Sequence, residues 1–213
     1  MAVRIRKYRK SDRKAVRKIC CDTGFLGNPI DSIFQDRELW ADALTSFYTD
    51  KEPESIFVAE EKGKIIGYIF GCRISWREGS YVKRNALGWI IKLFWRYFTN
   101  KYNKKTKEFV KYLLFHSKGE IPKTPRNYAH LHINIVEQRR YKGVGKKLME
   151  AYFNYLRSYG VKNVYLETFN YAGSPSYRFF KSFGFKVYDK VENHLWDKHF
   201  DKKVFLTTMV KGL

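Results

Sequence analysis

The chain has 213 residues, 44% of them hydrophobic and 18% aromatic, enough for one substantial core and too aromatic for a disordered tail. Lys and Arg number 42 against 21 Asp and Glu, a formal charge of +21 that admits nucleic acid, anionic lipid and phosphorylated cofactors as partners without choosing among them. Cys20, Cys21 and Cys72 make neither a disulfide framework nor a zinc pattern, no apolar run is long enough to cross a bilayer, and "MAVRIRKYRK" lacks the apolar core of a signal peptide, so the cytoplasm is the expected setting.

In chain order, "VRIRKY" (3–8) alternates like a strand. A helix follows over 11–23, with Ser11 or Asp12 as its N-cap and Val16, Ile19 and Cys20 on one face. Residues 37–49 read as a second helix, and 55–71 as a hairpin turning at Gly63. Residues 73–128 then break the pattern with two helical segments, 85–100 and 104–118, and a loop, "GEIPKTPRN". "AHLHINIV" is a strand with His130, His132 and Asn134 on one face and Leu131, Ile133 and Ile135 on the other. A helix begins near Gly143, its inward stripe formed by Val144, Leu148, Tyr152 and Leu156. A strand (161–169), a short helix entered through Pro175 and closed by Gly184, and two final strands complete the chain. Strands alternating with helices imply a mixed α/β sheet, partly parallel toward the C-terminus.

The junction "EQRRYKGVGKKLME" (137–150) sets two glycines among basic residues between a strand and a helix, the chemistry of an anion cradle. A dinucleotide fingerprint needs a third glycine at 148, where Leu148 stands, and a Walker loop needs four residues between its glycines. The remaining pattern is Arg-x-x-Gly-x-Gly at Arg140, Gly143 and Gly145. Here backbone N–H groups and the helix N-terminus meet a pyrophosphate, or the glycines simply form a tight turn.

Residues 131–149 resemble the cofactor-binding motif of the GCN5-related N-acetyltransferases (GNAT). "YRFFKSFGF" (177–185) resembles that family's later aromatic and Gly-Phe motif, and "FVAEEKGKIIGYIFG" its second and third strands. The resemblance covers nearly the whole chain except 73–128. It implies the GNAT fold over a single domain, 1–213: an α/β fold with a mixed, mostly antiparallel sheet whose central parallel strands splay apart, flanked by helices, with a helical insertion between strands three and four. It implies acetyl-CoA as acetyl donor, no metal, and an amine acceptor that attacks directly. The pantetheine arm would lie along Ile133, Asn134 and Ile135. The pyrophosphate would be cradled from Arg140 through Tyr141, Lys142, Gly143, Val144, Gly145 and Lys146, with Asn170 and Phe180 completing the cofactor contacts. "AHLHINIVEQ" is also similar to bacterial relatives of the acetyltransferase-like domain attached to some O-GlcNAc hydrolases.

In this family a tyrosine four residues before the Gly of Gly-Phe often protonates the departing thiolate, and here that position is Phe180. Tyr177, on nearly the same helical face, is the substitute candidate; Glu167 and His132, with His130 beside it, are candidate bases. Each has a bland counterpart as a packing or core residue. The missing tyrosine keeps open a non-catalytic CoA-binding or interaction module of the same fold. A basic nucleic-acid-binding protein is the weaker alternative, since no such module is recognisable. Nine of the twelve residues Leu87–Phe98 are Leu, Ile, Trp, Phe or Tyr. That segment is expected to pack as a hairpin with 104–117 over the acceptor side, or to form a homodimer. An interfacial membrane helix with Lys92 and Arg96 near the headgroups is the runner-up.

Overall fold

The computed structural model describes residues 2–99, 101–198 and 200–213, the side chain of Lys118 excepted. Seven strands form one sheet in the order β1-β2-β3-β4-β5-β7-β6. They are β1 (Arg4–Lys7), β2 (Phe57–Glu61), β3 (Lys64–Cys72), β4 (Ala129–Ile135), β5 (Asn163–Asn170), β6 (Lys186–Glu192) and β7 (Phe205–Gly212). All neighbours are antiparallel except β4 and β5. The sheet is the α/β GNAT arrangement expected from the sequence.

The β2–β3 hairpin closes through Lys62 and Gly63, both left-handed (φ 50° and 74°), the geometry that matches the twist of two-residue hairpins. Helices α1 (Arg13–Asp22) and α2 (Arg37–Lys51) cover one face, where Val16, Ile19, Cys20, Phe47 and Tyr48 pack on Val58, Tyr68 and Phe70. Asp12 is the N-cap of α1, as one of the two expected positions, but its side chain makes no capping bond; its carboxylate accepts from Arg9 N at 2.8 Å and binds Arg6. Helices α5 (Val144–Ser158) and α6 (Pro175–Ser182) cover the other face, burying Val144, Leu148, Tyr152 and Leu156 as the four-residue spacing requires.

The insertion departs from expectation. Helix α3 runs over Ser75–Phe98, ten residues further upstream than the apolar segment alone suggests, and none of its residues is fully buried. It packs mainly on α2, not in a hairpin with α4 (Lys104–Phe115). Trp89, Leu93 and Tyr97 enter a third cluster with Phe34, Leu39, Phe109 and Trp196, while Leu87–Phe98 turns a second apolar stripe outward. The upstream turns are tethered by Glu52, which is fully buried: its carboxylate accepts from Arg73 N at 3.2 Å and pairs with Arg77 at 3.6 Å. At the far end Arg96 pairs with Asp36, the N-cap of α2.

Candidate functional site

Strands β4 and β5 are paired only at Ala129–Val164 and His130–Tyr165; beyond those residues they part. Along the same stretch β4 stays paired to β3, with Val136 N bonding Ile66 O at 3.0 Å. Antiparallel alternation therefore directs the backbone of His132 and Asn134 to β3, and that of Leu131, Ile133 and Ile135 into the gap. Of the three residues expected along a pantetheine arm, Asn134 has its backbone committed elsewhere. The Ile135 carbonyl accepts from Arg140 Nε at 3.1 Å, leaving the Ile135 N–H and both groups of Ile133 facing the gap.

The turn out of β4 leads straight to α5. Tyr141 (φ 62°) and Gly143 (φ 77°) are left-handed, and Gly143 is the N-cap. No side chain caps the helix, so its first amides, those of Val144, Gly145 and Lys146, stand free at the positive end of the dipole. Val144 is buried in the core and offers only its amide; Lys142 and Lys146 are exposed. Arg140 does not aim at this amide cluster: its guanidinium donates to Gly27 O at 2.6 Å, tying the loop after α1 to the end of β4. The two glycines serve different needs. A Cβ on Gly143 would meet open space, so it is the backbone conformation that selects glycine there. A Cβ on Gly145 would lie 2.9 Å from Phe179 Cζ and 3.3 Å from Ile135 Cδ1, so packing of α5 against α6 and β4 selects glycine as well.

Tyr177, Phe179 and Phe180 lie on this same α5 side of the sheet. Phe180 is buried in the core against Phe185, while Tyr177 packs at the core's edge, half-buried, with Lys181 Nζ 5.7 Å from its ring centre. Ser174 caps α6 by accepting from Tyr177 N. Asn170 ends β5, opposite Phe205 of β7.

Acid–base groups gather on the opposite face. His130 Nδ1 is hydrogen-bonded to the Tyr48 hydroxyl at 2.9 Å and lies 3.4 Å from the Glu78 carboxylate, with the Tyr165 ring 5.0 Å away. Burial pulls the His130 pKa down, but the charge and hydrogen bonding of Glu78, with the charge of Glu167, together outweigh it and the net direction is up; burial pulls Glu78 up, but His130, with Tyr48, holds it below its ordinary value. Glu167 stands on the same face as Tyr165, two residues into the open part of β5, and burial raises its pKa. His132 behaves differently. Burial and the neighbouring His130 push it down to about 4, and its ring stacks 5.2 Å from Phe70 while Asn134 Nδ2 lies 3.1 Å from its Nε2. Neutral and stacked, it is a poor relay near neutrality. Sequence reasoning passed over Glu78, although it is the only acidic residue between Glu61 and Glu108. Among the described residues no group of His, Cys, Asp and Glu could hold a metal ion.

The family model for the acetyltransferase (GNAT) family matches residues 27–185. A search of curated proteins finds no match. Among solved structures, the crystal structure of SsHAT superposes with a TM-score of 0.70 at 24% identity, covering 100% of this chain and 98% of that one. The Drosophila melanogaster polyamine N-acetyltransferase, which catalyses formation of N-acetylagmatine, gives 0.59 at 16% identity over 100% of both chains. The yncA protein of Salmonella typhimurium, solved with its cofactor acetyl-CoA, gives 0.57 at 16%, covering 100% of this chain and 95% of that one. At these identities the likeness is one of fold. The narrower resemblance to the domain attached to O-GlcNAc hydrolases gains no support from these matches and is not carried further.

Proposed function

The chain belongs to the acetyltransferase (GNAT) family, and from that premise we propose that it is an acetyl-CoA-dependent N-acetyltransferase, residues 1–213 forming one catalytic domain. The observation that carries the reading is the parting of β4 from β5 immediately after His130 and Tyr165, with the uncapped N-terminus of α5 at the end of the same strand. A slot with free backbone groups along one wall and a helix dipole at its end fits an extended amide chain finishing in a pyrophosphate.

Bound there, acetyl-CoA supplies an acetyl thioester. The Ile133 carbonyl and the Ile133 and Ile135 amides hold the pantetheine arm; the amides of Val144, Gly145 and Lys146 hold the pyrophosphate, with Lys142 and Lys146 adding charge. On the opposite face Glu167, already raised by burial, accepts the proton of the incoming amine, and the His130–Glu78 pair holds charge behind it. As the C–N bond forms and the C–S bond breaks, Tyr177 gives its phenolic proton to sulfur from the cofactor side, since Phe180 has none to give. In this reading His130 takes the place expected of His132, because a histidine held near 4 is a weak base at neutral pH.

Phe180 also favours a second reading, in which the fold binds CoA without turning it over. The test is release of free thiol from acetyl-CoA across a panel of amines, alongside calorimetry with CoA. Binding and turnover are expected; binding without turnover by any amine selects the second reading, and absence of CoA binding overturns both.

A further inference from the structure

Among the described residues α3 carries more exposed large apolar side chains than any other element. Leu87, Ile91, Phe94, Trp95 and Phe98 fall at i, i+4, i+7, i+8 and i+11, one face of the helix, opposite Trp89, Leu93 and Tyr97, which enter the core. Their exposure is large: 69% for Leu87, 66% for Trp95 and 72% for Phe98, with Trp76 at 69% further back along the helix. Chance exposure of single apolar residues is ordinary, but a continuous aromatic stripe marks a contact surface.

Charge decides what it contacts. The one acidic residue on α3, Glu78, turns inward to His130, and Arg77 and Arg96 turn inward to Glu52 and Asp36. Lys83, Arg84 and Lys92 remain exposed, and no ion pair engages them among the described residues. A second copy of the chain would bring another +21 against the first, whereas an anionic lipid surface complements it. No helix among the described residues is long and apolar enough to cross a membrane. The twelve-residue stripe, about 18 Å long at helical rise, suits lying in the interfacial plane.

We propose that α3 docks this protein on anionic lipid bilayers, its Leu87–Phe98 stripe immersed at the headgroup–acyl boundary and Lys83, Arg84 and Lys92 among the headgroups. Arg96, the sequence's other candidate for a headgroup contact, is spent on Asp36 instead. The docked stripe is the back of the helix that carries Glu78, so a bilayer held there does not cover the acid–base cluster.

The full chain should co-sediment with vesicles of phosphatidylcholine plus phosphatidylglycerol, less with phosphatidylcholine alone and less at high salt, with a blue shift of tryptophan emission. The double variant Trp95→Ser/Phe98→Ser, made at largely exposed positions where the ring contacts of Phe98 are to Phe94 and Tyr97 of the same helix, should keep its fold by circular dichroism and lose about tenfold or more in vesicle partitioning. Lys92→Glu should weaken binding to the anionic vesicles selectively. Three results overturn the proposal: no sedimentation with anionic vesicles, undiminished partitioning by the double variant, or a dimer in solution that the double variant dissociates while vesicles remain unbound.

Discussion

The two faces of the splayed strands solve opposite electrostatic problems. On the α5 side the machinery is backbone: free amides, a helix terminus and left-handed residues at 141 and 143, with exposed lysines around them. On the α1/α2 side it is side chains: Glu78, His130 and Glu167, drawn from α3, β4 and β5, half-buried and coupled by charge. Amides and a dipole suit an anion whose charge never changes. Buried titratable groups suit a partner that must lose a proton. In a chain of net charge +21 the two carboxylates also make this side a local exception, a field that under the proposed reaction would favour the approach of a cationic amine.

If that division is real, removing a proton-handling group should not disturb the cofactor side. Glu167→Gln and Tyr177→Phe are each expected to lower kcat by about 10²–10⁴-fold, with CoA affinity by calorimetry unchanged. A parallel fall in CoA affinity would merge the two regions into one. Wild-type turnover in Tyr177→Phe would leave that residue as packing. Glu52→Ala attacks the scaffold of the side-chain face, since it removes the partner of Arg77 and of the Arg73 N–H at the start of α3 and leaves the Arg73 guanidinium with Glu54 as its ion-pair partner. A loss of about 3 kcal/mol in unfolding free energy is expected from urea titration, with Glu52→Gln milder.

Glu78→Gln sharpens the comparison by pH. The Glu78 charge raises both His130 and Glu167, so its removal lowers both, and the acidic limb of kcat/KM should move to lower pH. Stability follows from the signs. His130 is raised above its ordinary 6.5, so its contribution is full below that pH and fades as pH rises through the folded value. Glu78 is lowered from 4.5, so its contribution is present above that pH and fades as pH falls through the folded value. The melting-temperature gap between wild type and variant should therefore be widest between about pH 4.5 and 6.5. A gap independent of pH would deny the pairing.

The same contrast explains what could be read from the chain. The candidate anion turn is one contiguous stretch, and its demands on Tyr141–Gly143 are local, so sequence spacing exposes it. The succession of strands and helices along the chain is legible for the same reason, since alternation and turn residues are short-range signals, whereas their order in the sheet is implied only by the family resemblance. Glu78 meets His130 across 52 positions, in a helix whose first turns include Gly79 and Ser80 and are held by Glu52. No local pattern announces such a contact. The Arg140 side chain bonds Gly27 O, far away in sequence, and Gly145 serves packing against Phe179 as well as the turn, and neither contact has a local signature. His132 shares a face with His130, but the aromatic shelf that neutralises it comes from β3.

The gentlest probe separates the two glycines. Gly145→Ala places a methyl against Phe179 and Ile135 and should cost about 1–3 kcal/mol as overpacking, with CoA affinity falling along with stability. Gly143→Ala meets no atom within 4 Å, so its only intrinsic penalty is a left-handed alanine, about 1 kcal/mol. If the Gly143 backbone closely approaches a pyrophosphate, the new methyl occupies the ligand's space, and CoA affinity should fall by more than that strain accounts for. Calorimetry and thermal melts on the same two variants give the answer. A Gly143→Ala protein with wild-type CoA affinity would mean that the turn starts a helix and does nothing more, and the anion would have to be held elsewhere on α5.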